Sequence, residues 1–259
     1  LVKYVVKIVS PGSGSGKTYV GTKLVGYLKE RGYYVGVVKH CMHDLILEGK
    51  DTSRYLEVGA DVVVASSKNI LVSYVRPWVD DLKKVLELIE TPLVVVEGFR
   101  TSNIGDTVGV IRDFDEFEEL IRSGVRLDAI ISGDDGVVRE LLGRGFKAFS
   151  LNDLRQFYEW VEGRALETVV NSLPGKDCGM CGYSSCRLFS TAYLKGVRTY
   201  CVNTMRDVRL TINGDEVQLN PFVRRLVTSL VEGIINSLKD VPARRGRVVL
   251  EISYKERNP

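Results

Sequence analysis

Residues 10–19 read SPGSGSGKTY, and the residue types at the end of that stretch suit the handling of phosphate. A phosphate-binding loop places a glycine, four further residues and then Gly-Lys-Ser/Thr between a strand and a helix. Gly16, Lys17 and Thr18 supply the last three positions, but the leading glycine of the pattern falls on Pro11. Such a loop curls successive backbone N–H groups around an anion at a helix N-terminus. The lysine adds positive charge, and the hydroxyl binds Mg²⁺. Gly12, Ser13, Gly14, Ser15, Gly16, Lys17 and Thr18 can build that cradle. Pro11 has no N–H and holds φ at about −65°, but it stands where the chain turns into the loop rather than where it donates. A working cradle is therefore expected, against the plain alternative of a flexible Gly-Ser turn.

Three other groups of residues could act with it. Glu97 ends the apolar run PLVVVE, so it could hold Mg²⁺ or orient a water. KHCMHD (39–44) contains both histidines of the chain. His40 and His43 could meet phosphate or metal, and Asp44 could join Mg²⁺; a polar loop explains the same residues. In GKDTSR (49–54), Lys50 and Arg54 could bind an anion, while Asp51 reads as a helix cap or an Mg²⁺ ligand. Far downstream, Cys178, Cys181 and Cys186 are spaced C-x2-C-x4-C, with Cys201 after a further 14 residues. Four thiolates suit either tetrahedral zinc or a 4Fe-4S cluster. Gly179 and Gly182 relieve crowding and bare N–H groups that can donate to sulfur, which favours the cluster.

The elements that must position these groups alternate. YVVKIV (4–9) is an apolar run suited to a strand buried on both faces. A helical pattern follows the loop and stops near Gly32; YYVGVV (33–38) reads as the next strand, and 51–60 as a helix with Asp51 as its cap. DVVVAS and NILVSYV are strand candidates, 80–90 an amphipathic helix and 92–97 a buried strand. TVGVIRD, DEFEELIRSG, DAIIS, a helix and KAFSL continue the alternation to about residue 150. The expected fold is α/β, a P-loop NTPase with a mostly parallel sheet, whose ligands collect at the carboxyl ends of the strands. Residues 151–172 read as a linker helix, and 173–259 as a small α+β iron–sulfur-type domain. That domain would contain a hairpin at Asn213-Gly214, a helix from Pro221 with a broad apolar face that must pack on something, and a final strand RVVLEISY.

Composition narrows the function classes. The 259 residues are 44% hydrophobic and 27% charged with a net charge of +3, ordinary for a globular protein and no argument for a nucleic-acid partner. No apolar run approaches the roughly 18 residues of a membrane span, and the N-terminus lacks the small-residue cleavage site of a signal peptide. A cytoplasmic protein is expected, in which clustered cysteines suggest metal before disulfides.

Taken together, GSGSGKT, KHCMHD, GKDTSRYLEVGAD and VVVEGFR, in this order, resemble the molybdopterin-guanine dinucleotide biosynthesis adaptor protein B (MobB) family over about residues 1–150. The resemblance implies a GTP-binding P-loop fold, weak GTP hydrolysis and a role in forming or delivering the molybdenum or tungsten cofactor. Its partners would be a molybdopterin guanylyltransferase and molybdoenzyme apoproteins, and a homodimer is compatible with it. By position, residues 14–18 would bind the GTP phosphates, and Asp44, Asp51 and Glu97 would lie around Mg²⁺ and the γ-phosphate. Lys17, Asp51 and Glu97 are then the catalytic candidates, and His40 and Asp44 join the nucleotide site. Pro11 departs from the family's glycine. LPGKDCGMCGYSSC and the later Cys201 resemble the small 4Fe-4S domain of electron-transfer and corrinoid proteins, which strengthens a cluster over zinc. Two other functions stay open: a small-molecule kinase using the same loop, although no arginine-rich lid is evident, and a redox or metal-delivery protein gated by nucleotide. No base-reading Asn-Lys-x-Asp element occurs, so guanine over adenine rests on the resemblance alone.

Overall fold

The structure is a computed structural model that describes residues 2–41, 51–197, 201, 208, 210–217, 219–238 and 249–250. In chain order its elements are β1 (Tyr4–Val9), α1 (Lys17–Glu30), β2 (Val35–Lys39), α2 (Asp51–Glu57), β3 (Val62–Ser66), β4 (Leu71–Val75), α3 (Leu82–Glu87) and β5 (Leu93–Glu97). Next come β6 (Asp106–Ile111), α4 (Phe114–Arg122), β7 (Ala129–Ser132), α5 (Asp135–Gly143), β8 (Ala148–Ser150), α6 (Arg155–Asn171) and α7 (Cys186–Leu194). The last are β9 (Leu210–Ile212), β10 (Asp215–Val217) and α8 (Pro221–Ser237). The chain divides into two compact units, residues 1–204 and 205–259.

Six strands of the first unit form a parallel sheet in the order β2-β5-β1-β6-β7-β8. Every residue of β1 is buried, as its unbroken apolar run predicts. Alternate residues face opposite layers. Tyr4, Val6 and Ile8 pack with Val20, Leu24 and Leu28 of α1 and with Phe157, Val161, Ala165 and Val169 of α6. Val5 packs with Leu82 and Leu86 of α3, and Val9 with Phe117 and Leu120 of α4 and Leu141 of α5. Helices thus cover both faces, as the strand–helix alternation requires.

Three expectations change. The segment read as a linker helix is a core element: α6 crosses back over the sheet because its four apolar residues repeat on one face and fill the layer beside α1. Arg164 fastens it further, donating from Nε and Nη2 to both oxygens of Asp106 on β6 (2.9 and 2.7 Å), where Tyr4 also donates (2.9 Å). The two strand candidates between α2 and α3 stay out of the main sheet. β3 and β4 pair with each other, antiparallel, because Ser67 and Ile70 close a tight turn between them. Asp51 lies within the first turn of α2 rather than capping it, and pairs with Arg54 (3.6 Å).

In the second unit, β9 and β10 form the expected hairpin, with Asn213 and Gly214 both at positive φ (53° and 94°) as its tight turn demands. Asn220 caps α8 by accepting from the Val223 N–H (2.9 Å), with Pro221 at the first helical position. Phe222, Leu226, Leu230 and Ile234 are exposed on that helix. Met42–Lys50, which includes His43, Asp44 and Lys50, lies outside the described residues, as does most of the final strand expected at 247–254.

Candidate phosphate site and cysteine centre

The loop leaves the carboxyl end of β1 and delivers the chain to α1. Gly14 and Gly16 take φ of 78° and 90°, a region that side-chain-bearing residues enter at a cost. Gly16 is the N-cap of α1 and offers no side chain to it. The first amides of the helix, which lack intrahelical carbonyl partners, are therefore left for a ligand. Lys17 folds back over the loop, its Nζ donating to Ser10 Oγ (2.5 Å) and the Gly12 carbonyl (2.6 Å). Burial lowers the pKa of its ammonium, with Glu97 opposing that shift. An ammonium held among neutral oxygens and partly desolvated stands to gain by meeting an anion.

Strand order brings the acid to this loop. β5 inserts between β2 and β1, in a register that sets Ile8, Glu97 and Lys39 side by side. The Glu97 carboxylate accepts from Thr18 Oγ1 through both oxygens (2.9 and 3.0 Å) and from Lys39 Nζ (3.2 Å). A hydroxyl and a carboxylate converging at the mouth of a phosphate loop are hard oxygen donors suited to Mg²⁺. Beyond Glu97 the backbone turns sharply: Gly98 takes φ of 100° and Phe99, not a glycine, takes φ of 51°. His40 lies against that turn, stacked on Phe99 (ring centroids 4.3 Å apart), with Nε2 2.7 Å from Asp80 Oδ2. Its imidazole is thus engaged by the turn and by Asp80. Asp51 is on α2 and carries its ion pair with Arg54; among the described residues no hydrogen bond joins it to the loop.

The cysteine centre is built by left-handed turns. Gly175, Asp177, Gly179 and Gly182 have φ of 64°, 43°, 68° and 86°, which wind the chain back on itself before α7. Asp177 Oδ1 accepts from the Cys186 N–H (2.5 Å), and Ser185 caps α7 by accepting from the Leu188 N–H (3.2 Å). Cys178, Cys181, Cys186 and Cys201 line one small cavity with Leu173, Tyr183 and Phe189. Cys201 and Phe189 are buried there. No disulfide joins any of the five cysteines, and among the described residues no three His, Cys, Asp or Glu side chains are grouped closely enough to hold a single ion. The four thiols line one cavity without closing on a common point; thiolates are the ligand type that iron–sulfur clusters take.

Two features are not legible in the sequence patterns. Glu162 of α6 accepts from Tyr33 (2.5 Å), Arg31 (3.1 Å) and Tyr27 (3.2 Å). Burial pushes its carboxyl upward, but the hydrogen bonds from Tyr33 and Arg31 outweigh that and leave it below the usual range. Burial, and then the bond to Glu162, pushes the Tyr33 phenol well up. Nothing local in the chain announces this network. Lys7, fully buried in β1, is the second: it donates to the Ser102 carbonyl, and burial lowers its pKa. A lysine inside an apolar run was the available signal.

Two segments of the chain match known families. Residues 5–133 match the family model for molybdopterin guanine dinucleotide synthesis protein B, and residues 173–200 match a second model, provisionally named for an Fe-S cluster. A probable molybdopterin-guanine dinucleotide biosynthesis adapter protein of Bacillus subtilis is 32% identical over 125 residues, 45% of this chain and 69% of the relative. A Methanocaldococcus jannaschii protein, given the same adapter name provisionally, is 26% identical over 232 residues, 88% of each chain. The crystal structure of Bacillus subtilis MobB superposes with a TM-score of 0.52 at 25% identity, over 62% of this chain and 97% of that one.

Proposed function

The chain belongs to the molybdopterin guanine dinucleotide synthesis protein B family, and from that premise we propose that it is a GTP-binding, weakly hydrolysing adapter that assists formation or delivery of the guanine dinucleotide form of the molybdenum or tungsten cofactor. The observation that carries the nucleotide reading is the convergence of Lys17, Thr18 and Glu97 at the mouth of a glycine loop. In this reading the amides of residues 13–18 wrap the phosphates, and Lys17 leaves Ser10 and Gly12 to meet them. Thr18 and Glu97 would hold Mg²⁺, which when bound neutralises charge on the phosphates. In hydrolysis a water oxygen bonds to the γ-phosphorus as the bridging P–O bond breaks and its electron pair leaves with GDP. The water's protons end on inorganic phosphate and solvent. Lys17 and the loop amides lower the barrier by meeting the charge that develops. His40 supports the turn after Glu97. Asp51 and Asp44 remain candidates for the γ-phosphate side.

The cysteine centre would hold a 4Fe-4S cluster through Cys178, Cys181, Cys186 and Cys201. Partners would be a guanylyltransferase and molybdoenzyme apoproteins in the cytoplasm, a reading supported by the adapter relatives. Among the described residues no helix is long and apolar enough to cross a membrane. One sample tests both centres: protein purified without oxygen, analysed for iron, sulfide and zinc, then titrated calorimetrically with GTP and with ATP in the presence of Mg²⁺. Tight GTP binding and about four irons per chain are expected. Zinc at one per chain, or no response to either nucleotide, would overturn the corresponding half.

A further inference from the structure

Arg100 comes just after the strained turn beyond Glu97 and has no part in the chemistry above. Its guanidinium reaches back over the loop, with Nη1 3.4 Å from the carbonyl of Pro11, and among the described residues no carboxylate pairs with it. Several features fix the segment that carries it. Gly98 lies so close to His40 that an added Cβ would come within 2.7 Å of the histidine Cβ. Phe99 keeps its left-handed φ under the stacked imidazole. A non-glycine residue held there costs energy, and such strain persists only where the surroundings over-determine it. On the far side the Ser102 N–H donates to the Phe99 carbonyl (3.0 Å), and the Ser102 carbonyl is held by Lys7, rooted in the central strand. Gly105 closes the segment against β1, where a Cβ would stand 2.3 Å from the Val5 carbonyl oxygen. The buried lysine and the strained phenylalanine thus share one result: a cation held over the phosphate loop.

We propose that Arg100 is a catalytic residue supplied in cis, whose guanidinium contacts the terminal phosphate of the bound nucleoside triphosphate and stabilises the charge that gathers as the bond to the bridging oxygen breaks. This rests on residues 10–18 being the nucleotide cradle. A planar guanidinium offers paired donors to two phosphate oxygens, which lysine does not. It explains why Arg100 stands beside Pro11: the loop begins on a residue without an N–H, and a side chain from the neighbouring strand's turn brings donors to that edge. The diphosphate lacks the group that Arg100 addresses, so its affinity should be indifferent to the residue.

The test compares wild type, Arg100→Ala, Arg100→Lys and Gly98→Ala by calorimetric GDP binding and single-turnover GTP hydrolysis, both with Mg²⁺. Retained GDP affinity also reports that each variant folds. Arg100→Ala should bind GDP within about threefold of wild type and hydrolyse GTP about a thousandfold more slowly, the low end of what an arginine finger contributes. Added guanidinium ion should restore part of that rate in Arg100→Ala, and Arg100→Lys should stay slow. Gly98→Ala should slow hydrolysis with Arg100 still present, because the turn must shift. Hydrolysis by Arg100→Ala at the wild-type rate, or a loss of GDP affinity as large as the loss of rate, overturns the assignment while leaving the cradle reading intact. Wild type that binds neither nucleotide overturns the cradle reading and Arg100's role with it.

Discussion

Lys17 donates to oxygens of its own loop and is partly desolvated, so its ammonium is poised for an anion. Charge-assisted hydrogen bonds contribute about 1.5–3 kcal/mol, and each 1.4 kcal/mol is roughly tenfold in affinity. Lys17→Ala should therefore weaken GTP binding about ten- to a hundredfold in calorimetry, with unchanged thermal stability. Glu97→Gln keeps the shape but removes the charge facing Thr18 and Lys39; it should abolish the Mg²⁺ dependence of binding while leaving metal-free nucleotide affinity equal or higher. Glu162 gives a pH prediction. Its folded pKa is depressed, so its contribution to stability is complete above the ordinary carboxylate range and is lost as pH falls through the lower, folded value. Urea unfolding should show stability declining on acidification. Glu162→Gln should lower stability at pH 7 by about 1–3 kcal/mol, the cost of stranding its partners, and flatten the acid limb.

At the scale of elements, the β3–β4 hairpin stands apart from the main sheet. Val62 pairs with Val75, Val64 with Ser73 and Ser66 with Leu71, so Val62, Val64, Leu71 and Val75 share one exposed face. Two strands alone are marginal in water, and exposed apolar residues gathered on one face are a candidate interaction surface. The homodimer compatible with the family resemblance would cover it. Val64→Lys with Leu71→Lys should then weaken self-association, read by sedimentation velocity, without altering nucleotide affinity. A chain that sediments as a monomer at every concentration would overturn this reading of the face.

For the whole molecule, α6 and α7 decide how far the sheet can stand without the chain beyond residue 150. Phe157, Val161, Ala165 and Val169 are fully buried against β1 and α1. Burying a large apolar side chain contributes about 1.5–3 kcal/mol, against a net stability of about 5–15 kcal/mol for a domain. A chain ending at residue 150 should aggregate on expression, whereas one ending at residue 172 should retain the sheet; circular dichroism after expression of both checks this. α7 is tied to the same body: the Tyr34 N–H donates to the Leu194 carbonyl (2.9 Å) and Tyr193 donates to the Val2 carbonyl (3.1 Å). The cysteine centre is therefore anchored beside β1 and the end of α1, although its sequence reads as part of a separate C-terminal domain.

Patterns carried by neighbouring residues were legible without a structure. The apolar run of β1, the Gly-Lys-Thr at the start of α1, the Asn213-Gly214 turn and the cysteine spacing each depend on contacts within one or two turns of chain. Glu97 could be marked as a strand-end acid, but not as Thr18's partner 79 residues away, because nothing local states that β5 inserts between β2 and β1. The same holds for Arg100 over Pro11, for Lys7 beneath Ser102 and for α6 as core rather than linker. Strand order and helix return are set by which apolar faces bury one another across the whole chain, and that choice exists only once the chain has folded.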